Sequence, residues 1–122
     1  LFGNIKLVAQ KLQLELIAET KLNKDLFETS GITSINCGKT FWTHNDGGNS
    51  TEIFEIDSLG KNLRTVKINN VKNNDWEDII YDNKNSIYIA DIGNNSKKRD
   101  TLFLYKIKVF VLLHRDFLLL FL

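Results

Sequence analysis

From Lys11 the chain reads KLQLELIAE, with Leu12, Leu14 and Leu16 alternating against Lys11, Gln13 and Glu15. A period of two belongs to a half-buried strand, and a helix would break it. Comparable short runs follow at Gly31 to Asn36, Thr40 to His44, Glu52 to Asp57, Leu63 to Ile68, Trp76 to Tyr81, Ile87 to Ile92 and Leu102 to Lys108. Between them stand NDGGNS, DSLGKN, NNVKNN, DNKN and GNNSKKRD, clusters whose Gly, Asn and Asp residues favour turns. The pattern predicts an all-β fold of short antiparallel strands.

The strands also repeat. FWTHNDGGN (Phe41 to Asn49) aligns with IYIADIGNN (Ile87 to Asn95), so that Trp42 matches Tyr88, Asn45 matches Asp91 and Gly47 matches Gly93. Upstream, Ser30-Gly31-Ile32 falls against Glu77-Asp78-Ile79, and downstream IFEID (Ile53 to Asp57) falls against LYKIK (Leu104 to Lys108). The period is roughly 46 to 51 residues, close to the ~40 to 50 of a propeller blade. A β-sandwich gives no reason for a repeat of this length, so the expectation is a partial β-propeller of about two four-stranded antiparallel blades. Four of the runs make the first blade and three the second, with the Lys11 strand as the outer edge of a neighbouring blade. Closure takes roughly four to eight blades, so missing blades are the first expected partner.

Residues 11–108 form the blades on this reading. Residues 1–10 fit the remnant of a processed leader, since Leu7-Val8-Ala9 ends on the small residue a signal peptidase wants. The segment 109–122 leaves the repeat for an apolar run broken by His114, Arg115 and Asp116, too short for the ~20 apolar residues of a membrane span. It reads as an element buried against missing blades or as the product of a frameshift or premature gene end. The chain contains no Met and no Pro, which also reads as a fragment.

Composition removes several classes of function. At 122 residues and 43% hydrophobic the chain can bury a core, and a formal net charge of +1 with one basic run, Lys97 to Arg99, offers no nucleic-acid face. Cys37 is the single cysteine, which excludes an internal disulfide and a CxxC metal site.

The chemistry gathers in DWEDIIYDNKNSIYIADIGNN (Asp75 to Asn95). In an antiparallel hairpin the start of one strand lies beside the end of the next. A loop of Asn83-Lys84-Asn85 pairs Asp82 with Ser86 and sets Glu77 opposite Asp91, with Asp75 and Asp78 close by. The first repeat places Ser30 near Asn45, with Asp46, Glu28 and His44 about them. Facing carboxylates repel without a cation, a proton or strong donors. Oxygen ligands without clustered His or Cys suit Ca²⁺ and argue against zinc. The candidate metal ligands are therefore Glu77, Asp91, Asp75, Asn45 and Asp46, and the candidate ligand-binding residues are Glu28, Ser30, His44 and Asp78. The competing reading has these acids accepting backbone N–H groups in turns. Trp42 and Trp76 read as packing residues. Gly47, Gly48 and Gly93 read as turn glycines with positive φ, and the sequons at Asn49 and Asn94 as chance.

ETSGI (Glu28 to Ile32), FWTHNDGGN, IFEID with LGK, DWEDI (Asp75 to Ile79) and DIGNN (Asp91 to Asn95) followed by Arg99 resemble a family of bacterial secreted or envelope-associated β-propellers with the motifs SGL, WTHNDSGG, DWEDI and DIGDN. The resemblance spans Leu12 to Lys108. It implies a six-bladed type of propeller, distantly similar to NHL-like and phytase-like ones, exported to the cell envelope or beyond, with no shared reaction to transfer. Asn94 stands where DIGDN has Asp, which removes a charge from the expected cation site. The functions these features imply are binding or scaffolding with Ca²⁺ at one end of the channel, metal-dependent phosphoester hydrolysis, or the inactive product of a truncated gene.

Overall fold

The computed structural model describes residues 13–16, 19–35 and 37–108. Strands β1 (Thr29–Ile35), β2 (Thr40–Asn45), β3 (Glu52–Ile56), β4 (Asn62–Lys67), β5 (Trp76–Tyr81), β6 (Ser86–Asp91) and β7 (Phe103–Lys108) follow a short 3-10 turn at Lys24–Leu26. They build two antiparallel sheets, ordered β1-β2-β3-β4 and β5-β6-β7. The described residues are thus all-β, and these seven strands stand where alternation predicts them. The apolar segment 109–122 lies outside the described residues, as does the leader-like segment 1–10.

Cross-strand neighbours share a face of a sheet, so the register tells where each side chain goes. Trp42 and His44 of β2 share a face with Ile53, which pairs with His44, and with Val66, which pairs with Ile53. In the second sheet Ile79, Ile89 and Tyr105 form one row, and Tyr81, Ile87 and Ile107 another. These two faces meet in one core of Ile35, Trp42, Ile53, Trp76, Ile79, Ile87 and Ile89. Both tryptophans are buried packing residues; burying each large apolar side chain of such a core is worth roughly 1.5–3 kcal/mol. A smaller cluster, Leu26, Phe54 and Ile56 with Phe41, covers part of the opposite face of the first sheet.

The sheets approach most closely between β1 and β5. Gly31 has a φ of +64°, and a Cβ there would lie 2.9 Å from the Asp78 Cα and 3.0 Å from the Ile79 nitrogen. Only glycine satisfies both demands. Across this seam the Ser30 hydroxyl donates to the Glu77 carbonyl at 3.2 Å, and the Tyr81 N–H donates to the Thr33 hydroxyl at 3.0 Å.

Two expectations need correction. Gln13 to Leu16 forms no strand: Leu14 and Leu16 are 103% and 79% exposed. Alternation makes a segment suited to a sheet but does not supply the neighbouring edge it must pair with, and none lies beside it among the described residues. Glu77 does not face Asp91. Trp76 does, because a β-bulge between Trp76 and Asp78 leaves Glu77 as the extra residue. The first sheet also has a bulge in its first strand, at Gly31, one position further along the repeat than the bulge at Glu77; it leaves Ser30 paired with His44 and Thr29 with Asn45.

Candidate metal centre

The segment NNDWED, Asn73 to Asp78, positions the site by tying itself to both repeats. The buried Asn73 amide donates to the carbonyls of Asn45 and Asp46 at 3.3 and 2.9 Å, and its oxygen accepts the Trp76 N–H at 3.1 Å. The Asn73 carbonyl accepts the Gly48 N–H, and the Asp75 carbonyl accepts the Gly93 N–H. The two equivalent glycine loops, after β2 and after β6, are therefore held on either side of Asp75.

Between those loops the carboxylates of Asp46, Asp75 and Glu77 converge, with one oxygen of each within 4.8 Å of the others. All three are half-buried. Their compensation is sparse: the Gly47 N–H donates to Asp46 Oδ1 at 2.6 Å, and among the described residues no donor reaches the Asp75 or Glu77 carboxylate. Burial, then the charges of Asp46 and Asp75, pushes the Glu77 carboxyl above the ordinary glutamate range, with His44 pulling weakly the other way.

Gly47 and Gly93 have a role other than the turn role expected of them. Among the described residues the glycines with positive φ are Gly31, Gly38, Gly48 and Gly60. A Cβ on Gly47 would lie 2.5 Å from Asp75 Oδ1 and 2.8 Å from the Asp75 Cα, and one on Gly93 would collide with the Asp75 carboxylate and reach 2.5 Å from Glu77 Oε1. Two glycines at equivalent repeat positions make room for the same carboxylate.

The other candidates lie elsewhere. Asp91 is fully buried and occupied: Oδ1 pairs with the Arg99 guanidinium at 2.8 Å and accepts the Asp75 N–H at 3.0 Å, while Oδ2 accepts the Asn74 amide at 2.7 Å. Arg99 also donates to the carbonyls of Gly93 and Asp91, at 2.8 and 3.1 Å. Asn94 clasps the Arg99 backbone, donating to its carbonyl and accepting its N–H, both at 3.0 Å. An Asp in its place could not make the first of these bonds. Asn45 is buried with Nδ2 on the Asp25 carbonyl at 2.8 Å, and its Oδ1 has no donor.

Glu28 accepts the Asn49 amide at 2.6 Å, and the Asp78 carboxylate accepts the Ile79 N–H at 2.8 Å. His44 is fully buried, edge-on to Trp76 at a ring separation of 5.7 Å, with Nδ1 2.9 Å from the Asn45 carbonyl and Nε2 without a hydrogen bond beside the Asp78 backbone. Burial holds its imidazole below the ordinary value, against the opposing pull of Asn45, Asp78 and Asp46.

Sequence reasoning missed the structural work of Asn73, Asn74 and Arg99. Its available signals were an Asn pair just before an acidic strand start and the Arg that ends the basic run, eight positions after Asp91. Among the described residues no helix is long and apolar enough to cross a membrane. No family model matches this chain, nor does any curated protein or solved structure.

Proposed function

We propose that the two sheets are successive blades of a β-propeller and that the chain is a binding or scaffold piece of an exported protein, holding Ca²⁺ where the blades join. The observation that carries the cation is the convergence of Asp46, Asp75 and Glu77 within 4.8 Å around a single backbone donor. Three half-buried carboxylates at that spacing repel one another, and a hard divalent cation relieves the repulsion while accepting oxygen ligands alone. Three protein oxygens leave coordination positions for water or a bound partner, since Ca²⁺ takes about six to eight. The blade reading is supported by the repeat in sequence, by a bulge in the first strand of each sheet and by the face-to-face packing of equivalent sheets. Export rests on the motif resemblance.

The test is thermal melting with and without Ca²⁺, with a chelator control. A ligand that binds only the folded chain raises its stability by RT ln(1 + [L]/Kd), about 2.7 kcal/mol at a hundredfold excess over Kd. A melting temperature that rises with Ca²⁺ and returns on chelation supports the reading. One that is indifferent to Ca²⁺ removes the cation from it.

A further inference from the structure

Because Trp42 turns into the core between the sheets, Thr43 and Asn45 of the same strand turn outward, as do Phe54, which pairs with Thr43, and Thr65, which pairs with Phe54. The 3-10 turn Lys24–Leu26 is fastened to this outer face: Leu26 packs with Phe54 and Ile56, and the Asn45 amide donates to the Asp25 carbonyl at 2.8 Å. A cavity of about 410 Å³ is left there, and none of the three converging carboxylates lines it. Small-ligand sites measure roughly 300–1,000 Å³.

Its wall has acceptors to spare and few donors. Asn45 lines it at 4% exposure, and with the amide spent on Asp25 its Oδ1 accepts no hydrogen bond, a cost that a ligand's N–H would remove. The Asn49 amide is spent on Glu28 and on the Asp46 carbonyl, and the Ser50 hydroxyl on Glu52 Oε2. Thr65, whose hydroxyl accepts the Asn62 amide at 3.0 Å, keeps the one spare side-chain donor among the described lining residues. Asp25 and Glu52 add two carboxylates, neither in an ion pair among the described residues, and no Lys, Arg or His is among the described lining residues. Lys67 pairs with Glu52 across the strands but is not part of the wall. The buried Phe54 and the exposed Phe27 contribute aromatic rings, whose faces attract cations.

We propose that this cavity binds a small organic cation, an alkylammonium or guanidinium group whose N–H donors meet Asn45 Oδ1 and the Asp25 and Glu52 carboxylates while its apolar body lies on the phenylalanines. An anion finds no positive side chain in the wall, and a neutral alcohol leaves both carboxylates uncompensated. A free amine and a basic side chain of a peptide carry the same group. The site shares no residue with the Asp46, Asp75 and Glu77 cluster, so the two can fail separately.

The test follows the side-chain amide signals of Asn45 and Asn49 by NMR in the full chain, at fixed ionic strength, as arginine amide, butylamine, butanol or butyrate is added. The two organic cations are expected to shift both signals saturably, and butanol and butyrate to leave them in place. Glu52→Gln and Asp25→Asn should each weaken arginine amide about tenfold, as the loss of one charge-assisted hydrogen bond does, while Asp100→Asn, outside the cavity, changes nothing. Asp25 is exposed and Glu52 half-buried, so both variants keep the core, which circular dichroism verifies. A Gly-Arg-Gly peptide that binds at least as tightly as arginine amide assigns the site to a peptide side chain, and one that binds more weakly assigns it to a free amine. Cations that shift neither signal, butanol or butyrate that shifts them equally, or an affinity indifferent to both carboxylate variants overturns the proposal. A chain that binds Ca²⁺ but no amine overturns this inference alone, and one that binds the amine but not Ca²⁺ overturns the Ca²⁺ reading alone.

Discussion

Glu77 sits where folding itself makes a carboxylate harder to ionise. The folded chain holds the Glu77 proton more tightly than the unfolded chain does, because of burial and then Asp46 and Asp75. Stability therefore falls as pH rises from the ordinary glutamate range, about 4.3, through the raised value. Without a divalent cation, Glu77→Gln should melt above wild type at neutral pH, and the difference should vanish below about pH 4. Melting curves at the two pH values check it. The glycines make a sharper residue-level prediction. Gly93→Ala drives a methyl into the ends of the Asp75 and Glu77 side chains, whereas Gly47→Ala also meets the Asp75 Cα and the Asn74 carbonyl. Each should cost about 1–3 kcal/mol, the usual range for overpacking. Trimming Asp75 to Ser should recover most of the loss for Gly93→Ala and little for Gly47→Ala, as a double-mutant cycle in urea would read out.

Among the elements, the β5–β6 hairpin and the β6–β7 loop carry most of the polar order. Asp82 Oδ1 accepts the N–H groups of Lys84, Asn85 and Ser86 at 2.9, 3.0 and 3.0 Å across a turn whose Asn83 has a φ of 58°. The Ser86 bond first, then those to Lys84 and Asn85, hold its carboxyl below the ordinary aspartate value, burial opposing. Its stabilisation is present above the ordinary aspartate pKa and is lost as pH falls through the depressed one. Asp82→Ala should remove that acid-side dependence, which a melting series between about pH 5 and 2 would show. In the loop, Arg99→Ala strands the fully buried Asp91 and should cost about 3–5 kcal/mol in chemical denaturation. The strands were legible because alternation and turn clusters mark them locally. Both bulges were not, since a bulge depends on how β1 and β5 meet, and a one-residue slip moved Glu77 away from Asp91. The loop difference explains the uneven repeat: six residues separate β2 from β3 and eleven separate β6 from β7, and the longer loop brings Arg99 back to Asp91.

For the whole molecule, the acids that look misplaced along the strands divide into two groups with different work. Asp91 is neutralised inside by Arg99 and the Asn74–Asp75 backbone, while Asp46, Asp75 and Glu77 gather from both sheets at their junction. The sequence showed that acids would meet there, and named Asp75, Glu77 and Asp46 among them. It did not show which would find a cation of the protein's own, because Arg99 reaches Asp91 only through the fold. On this account the junction is where a cation would bind one sheet to the next, so cation binding and sheet packing are coupled. The most direct measurement is calorimetric titration of Ca²⁺ into the full chain beside Glu77→Gln and Asp91→Asn variants that remain folded. The account predicts saturable binding at one site per chain in wild type, its loss in Glu77→Gln and its retention in Asp91→Asn. Absence of heat in wild type, or binding undiminished by Glu77→Gln, would contradict it.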